Sequence, residues 1–276
     1  MAATTPRLVE TSITRDGGTW AVSVSLPPGY DGPTKNDRFN VLYILDGDKS
    51  VFTRSAAANL SAYAEIRPLP GRNWFPELIV ATISGGALTP EARLAATTKA
   101  LVPFIDSNFR TNPYAAGRAL CGLTGEGRLA VQEALRNHQQ VTGLFQTFIV
   151  GRPDADLCGE AAGAPLAEKT AICLYVGSRE GAQRVQAARA AKAALEARIG
   201  GDSTTTVMTV DRNGEQHYKE EARIGTVVDL LETETAEGVA MASDGEIRVV
   251  MDWLGVRIER RKLERLGSLM PWHEFK

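Results

Sequence analysis

The chain has 276 residues, 43% of them hydrophobic and 23% charged, with a formal net charge of -2. That balance supplies enough apolar material for a large core and excludes disorder as the main state. With 31 Lys and Arg against 33 Asp and Glu there is no excess positive field, so no nucleic-acid partner is expected. Cys121, Cys158 and Cys173 build no disulfide framework, and neither they nor His138, His217 and His273 show metal-ligand spacing, so no metal and no cofactor is expected. Met1 to Arg15 lacks the apolar core of a signal peptide, and no stretch approaches the roughly 18 apolar residues of a membrane span. Few cysteines and no such segment point to a cytoplasmic protein with no membrane partner.

Thr19 to Leu26 alternates, with Trp20, Val22, Val24 and Leu26 on one face, and predicts a half-buried strand near a sheet edge. Pro27-Pro28-Gly29 is a turn. Val41 to Leu45 is a continuous apolar run ending in Asp46-Gly47-Asp48, the signature of a strand buried on both faces. Leu78 to Ile83 is a second such run. Pro90 to Phe109 reads as a helix, and Ala119 to Gly122 as a short strand ending in glycine. Arg128 to His138 is helical. Leu144 to Val150 and Ala171 to Val176 are further strands, Ala182 to Ile199 an Ala-rich helix, and Thr204 to Val210 the last strand. Such alternation predicts an α/β fold, a mostly parallel central sheet flanked by helices on both faces. Ligands in such sheets bind beyond the carboxyl ends of the strands, which directs attention to the loops 46–49, 122–127, 151–156, 177–181 and 211–218.

Five segments then carry a resemblance. Val41-Leu42-Tyr43-Ile44-Leu45-Asp46-Gly47-Asp48, the stretch from Leu101 to Pro113, Arg118-Ala119-Leu120-Cys121-Gly122, Leu174-Tyr175-Val176-Gly177-Ser178-Arg179-Glu180 and Gly214-Glu215-Gln216-His217 occur in the order seen in one esterase branch of the α/β-hydrolases. That branch includes siderophore (enterobactin-type) esterases, feruloyl-esterase-like enzymes and S-formylglutathione hydrolase relatives, and the chain resembles it over about residues 8–255. The resemblance implies an α/β-hydrolase fold and a hydroxyl nucleophile on a sharp strand-to-helix turn. It also implies a His base held by a carboxylate, with two backbone N–H groups for the oxyanion. It places the base at His217 and the acid at Glu180. The oxyanion donors fall near Gly125 and in the loop of Gly47 and Asp48.

At the elbow the sequence departs from the branch. Where those esterases read Gly-His-Ser-x-Gly-Gly, this chain reads Gly122-Leu123-Thr124-Gly125-Glu126-Gly127. Thr124 keeps a hydroxyl but adds a methyl that restricts χ1. Glu126 puts a charged side chain where a small residue lets strand and helix pack closely. A relaxed elbow would turn Glu126 toward the pocket near His217, which is an acid/base pair in its own right. The pocket loop reads Arg152-Pro153-Asp154-Ala155-Asp156, with Arg152 a ligand-anion contact and Asp154 a lining residue.

Three readings stay open. Thr124, His217 and Glu180 hydrolyse an ester, lactone or thioester of a small natural-product-like molecule. Alternatively, Glu126 and His217 perform isomerisation, cyclisation or elimination in specialised metabolism. In the third, the pocket binds a small molecule without chemistry. Each residue also has a plain alternative: Glu180 favours a helix N-terminus, Cys121 is a core thiol, and His138 complements a helix end. One domain spans 1–255, with 220–245 a lid or loop insertion. Residues 256–276 form a C-terminal extension, either a helix packed back on the domain or a homodimer contact.

Overall fold

The computed structural model describes residues 7–15, 17–31, 38–45, 78–84, 88–123, 125–136, 143–153, 157, 165–167, 169–177, 180–199, 209–210, 216–217, 226–233, 250 and 253–254. The Asp46-Gly47-Asp48 loop, Thr124, Asp154, His138, Cys158 and the 256–276 extension lie outside them.

The chain begins with a hairpin. Strands β1 (Arg7–Arg15) and β2 (Gly18–Leu26) pair antiparallel from Arg7↔Leu26 to Arg15↔Gly18. Gly17 turns the chain with φ of 78°, a conformation that costs glycine nothing. Strand β1 is mostly exposed and was not anticipated; among its residues only Ile13 is buried. It takes the sheet edge, which leaves β2 one place inside and buries Val22 to Leu26 without interruption.

Strands β3 (Asn40–Ile44) and β4 (Leu78–Ser84) follow, then α1 (Pro90–Ala96). A single π turn, Thr97–Leu101, leads from α1 into α2 (Val102–Asn108), so the helix expected over 90–109 is present with a local widening. Next come β5 (Arg118–Leu123), α3 (Gly125–Arg136), β6 (Thr147–Gly151), β7 (Ala171–Gly177) and α4 (Ala182–Glu196). The eight-stranded sheet has the order β1-β2-β4-β3-β5-β6-β7-β10, with β10 at Val227–Thr233. Pairings from β4 to β10 are all parallel, and only β1–β2 and β2–β4 are antiparallel. The chain steps outward from β3 to β4 and then returns past β3 to β5. In sheets with such a reversal, ligands bind beyond the carboxyl ends of the two strands that flank it, here β3 and β5.

The period-two alternation of buried strands sorts the core into two faces. Val41, Tyr43 and Leu45 join one cluster with Leu94, Leu101 and Ile105, with Leu129 and Leu135 of α3, and with Ala188, Ala191 and Leu195 of α4. Leu42 and Ile44 join the other with Cys121, Cys173, Tyr175, Val250, Trp253 and Leu254. Both faces are thus covered, as the apolar runs require. Cys121 is a fully buried core thiol.

Two expectations are corrected. The last strand is not Thr204–Val210. Of that stretch the described residues are Thr209–Val210 (β8), which pair with Gln216–His217 (β9) in a separate two-stranded ribbon, and the last strand of the sheet is Val227–Thr233. The segment 220–245, expected as a lid or loop, contains β10, which pairs with β7 from Val227↔Ala171 to Thr233↔Gly177. Asp229 interrupts the apolar run Val227–Leu231 and hid this strand from a hydrophobicity reading. In the fold Asp229 is buried and accepts a 2.7 Å hydrogen bond from Trp253 Nε1.

At the amino ends of the strands, a polar clamp ties α2 to β5. Arg118 donates to Asp106, to Pro113 O at 2.9 Å and to Leu144 O at 3.3 Å. Thr111 donates to Asp106 Oδ1 at 2.7 Å, and Asn112 Nδ2 to Asn40 Oδ1 at 2.7 Å. The stretch from Leu101 to Pro113 therefore serves the architecture, at the amino ends of the strands.

Candidate functional site

The site is built where β5 turns into α3. A Cβ on Gly122 would lie 2.3 Å from the backbone oxygen of Glu126, and one on Gly127 would lie 3.0 Å from Val150 Cγ1. Residue 122 has no room for a side chain, and residue 127 has little. The two glycines let the strand reverse sharply into the helix, with residue 124 between the last strand residue, Leu123, and the first helical residue, Gly125. This is the close strand–helix approach that lifts an elbow residue to the top of a sheet.

At Glu126 it is the backbone, not the side chain, that lies against Gly122. The side chain faces Arg93 of α1, with Oε1 4.0 Å from Nη1, and both side chains are largely buried. The same Arg93 Nη1 donates to Leu45 O at 2.8 Å, and the Leu45 N–H donates to Cys121 O at 2.9 Å. Arg93 thus braces the end of β3, from which the Asp46-Gly47-Asp48 loop departs, against the first turn of α3. The expectation placed Glu126 beside His217; the described partner of Glu126 is Arg93. Arg93 was missed in the sequence, where a lone arginine on a helix gives no signal of the carbonyl it will meet.

The carboxyl ends of β6 and β7 carry a second cluster. Arg152 Nε donates to Glu180 Oε1 at 2.9 Å, and Arg184 Nη1 donates to Glu180 Oε2 at 3.1 Å. The Gly177 N–H also points to Oε1, at 3.4 Å. The Glu180 side chain is 6% exposed, Arg152 15% and Arg184 49%. The sequence expectation gave Glu180 the task of orienting a histidine; its described side-chain partners are two guanidinium groups. Arg184 was also missed, although its spacing of four from Glu180 is a legible ion-pair signal.

Arg152 is unusual in its backbone. Its φ is 54°, in the left-handed region, and it precedes Pro153, a position that normally favours extended backbone. Such strain costs on the order of 1–3 kcal/mol and persists only where the surroundings impose it. Here the Arg152 N–H is anchored to Tyr175 O at 2.7 Å.

His217 ends the β9 strand of the ribbon and precedes β10 in the chain. It does not follow the last strand of the sheet, contrary to the expectation. After β10 the sequence holds no histidine before His273. The described residues bring Arg152, Glu180 and Arg184 together, and Arg93 with Glu126. No described helix is long and apolar enough to cross a membrane.

No family model and no curated protein matches the chain. Solved structures do. A mutant feruloyl esterase module from Clostridium thermocellum, complexed with sinapinate, is 16% identical, with a TM-score of 0.62 over 92% of this chain and 88% of that one. A siderophore hydrolase from Aspergillus nidulans is 14% identical, with a TM-score of 0.59 over 90% and 94%. The enterobactin esterase from Shigella flexneri, in the presence of enterobactin, is 13% identical, with a TM-score of 0.62 over 92% of this chain and 59% of that one. Together with the mixed sheet, these likenesses show the α/β-hydrolase fold in the form carried by those esterases.

Proposed function

We propose that this α/β-hydrolase-fold chain is an esterase-like protein acting on a small-molecule ester, lactone or thioester at the carboxyl ends of β5, β6 and β7. The reading is carried by the elbow. Gly122 and Gly127 keep the tight β5–α3 approach, whose purpose in a hydrolase is to present the residue between them to a substrate carbonyl. In this reading the Thr124 hydroxyl attacks the carbonyl and His217 takes its proton. The acyl–oxygen or acyl–sulfur bond breaks, and water later releases the acid. Glu180 orients the base, and backbone N–H groups at Gly125 and in the loop of Gly47 and Asp48 hold the oxyanion. Asp154 lines the pocket.

A second reading rests on a specific observation. Glu180 is clasped by two arginines, and the last strand of the sheet comes after His217. A fold with that arrangement keeps the pocket without an assembled relay. It would then serve non-hydrolytic acid/base chemistry through His217 and Glu126, or binding alone.

One set of measurements separates these readings. The wild type and Thr124→Ala are incubated with para-nitrophenyl acetate and with a fluorophosphonate probe. The hydrolytic reading expects labelling and turnover that vanish in Thr124→Ala, and absence of both in the wild type overturns it. Esterase activity gained by Thr124→Ser combined with Glu126→Gly would mark a scaffold that lost hydrolysis through those two positions.

A further inference from the structure

We infer that β1 is a dimer interface. The outer edge of this strand pairs with β1 of a second copy of the chain, antiparallel about a two-fold axis at Thr11, and joins two eight-stranded sheets into one. The inference is independent of the chemistry proposed at the elbow.

An edge strand presents a row of unpaired N–H and C=O groups, which a further strand can satisfy. Strand β1 takes one end of the sheet, and among the described residues no strand pairs with its outer side. It is long for an edge, with nine residues where about five or six are usual. Its pairing with β2 runs without a bulge from Arg7↔Leu26 to Arg15↔Gly18. It holds no Pro and no Lys, the residues that commonly blunt an edge, and Val9, Thr11, Ile13 and Thr14 are β-branched. The strand at the other end of the sheet, β10, is buried from Val227 to Leu231. Of the two ends, β1 is the exposed one.

The sequence of β1 favours its own copy. In an antiparallel pair, residues directly opposite are either both bonded to each other or both not. Two identical strands related by a two-fold axis must therefore set one residue opposite itself. An axis at Glu10 sets two carboxylates against each other, which is destabilising. An axis at Ser12 sets Val9 against Arg15 and leaves Arg7 and Leu8 beyond the paired stretch. An axis at Thr11 pairs all nine residues. On the face where Ile13 enters the core and Val9 packs against it, each Val9 then meets Ile13 of the second copy, with the two threonines between. On the other face Leu8, 60% exposed, meets Thr14, and Glu10 meets Ser12. The one like-charge pairing, Arg7 with Arg15, has a counter-ion in place. Asp31 Oδ2 lies 3.1 Å from Arg7 Nη1, and its side chain is 66% exposed, within reach of Arg15 from the second copy. The contact is isologous, so it closes on itself and does not propagate.

The test is sedimentation velocity of the full chain over about 1–300 μM, the range in which a small interface of this kind associates. The expected result is a monomer that becomes a dimer as concentration rises. Thr11→Lys and Thr11→Glu each set like charges across the axis and should weaken the dimer at least roughly tenfold. Thr11 is exposed, so both variants should keep the wild-type urea midpoint. An equimolar mixture of the two should restore the dimer, because Lys then faces Glu. Asp31→Asn should weaken it roughly fivefold, and added salt should recover part of that loss by screening the arginines. A chain that stays monomeric throughout overturns the inference. So does a dimer indifferent to both charges at position 11, or a mixture that restores nothing. Hydrogen exchange of the wild type gives a check that needs no variant. The β1 amides should gain protection over the same concentrations, and protection independent of concentration overturns the pairing.

Discussion

Trp253 donates its indole N–H to Asp229 Oδ2 at 2.7 Å, and both residues are almost wholly buried. This bond joins the edge strand β10 to the segment that covers the second face of the sheet. Hydrogen bonds to charged groups contribute about 1.5–3 kcal/mol, and removing one partner leaves a buried carboxylate less satisfied. Trp253→Phe is expected to destabilise the protein by about 2 kcal/mol, read as a lower urea midpoint with unchanged slope. Asp229→Leu, which removes the charge along with the bond, should cost less than Asp229→Ala, which also leaves a cavity.

The elbow glycines should differ in tolerance. Gly122→Ala puts a carbon 2.3 Å from a backbone oxygen, where nothing flexible can yield. It is expected to cost about 3 kcal/mol or more and to abolish any reaction at residue 124. Gly127→Ala meets Val150 Cγ1 at 3.0 Å, a side-chain methyl, and should be the milder change. Thermal unfolding of the two variants, scanned side by side, checks the order.

Arg118 and Asp106 form a mostly buried pair at the amino ends of the strands. Breaking such a pair by removing one partner costs about 3–5 kcal/mol. Asp106→Ala should therefore destabilise strongly, and Arg118→Met with Asp106→Leu should recover part of the loss. The clamp lies at the amino ends of the strands, and the proposed site lies at their carboxyl ends. Ligand affinity per folded molecule, measured by calorimetry, should not change in the double variant.

Glu133 of α3 is buried, and burial raises its carboxyl above the ordinary range despite the nearby Arg136. A carboxyl raised in the folded state is disfavoured when ionised there. Its unfavourable contribution is absent below the unfolded-state pKa, grows as pH rises from that value through the folded one, and is constant above both. Glu133→Gln should accordingly gain stability over the wild type near pH 7 and lose that advantage near pH 3. Urea midpoints at the two pH values test the sign, and an equal effect at both contradicts it.

Much of the architecture is legible in local pattern. The apolar runs at 41–45, 78–83 and 171–176 supply strands buried on both faces, and helices are found within 90–108, over Gly125–Arg136 and over Ala182–Glu196, in the regions where the periodicity predicts them. Glycines 122 and 127 mark the elbow in the sequence, because a strand that reverses into a helix at close range excludes a Cβ. The exposed strand β1 has little periodicity to reveal it. Strand β10 has a charge in its middle, and the indole that satisfies this charge arrives from 24 residues away.

Local sequence, then, determines which segments become buried strands and helices, since that depends on apolar spacing along a few residues. It also marks the elbow and names Thr124, Glu126 and Arg152 as its departures. Only the tertiary structure decides who meets whom. It turns Glu126 toward Arg93, surrounds Glu180 with two arginines, and puts the last strand of the sheet after His217. Those outcomes depend on distances between residues far apart in the chain, and the free energy of a buried charge is set by whichever group the fold brings within hydrogen-bonding reach.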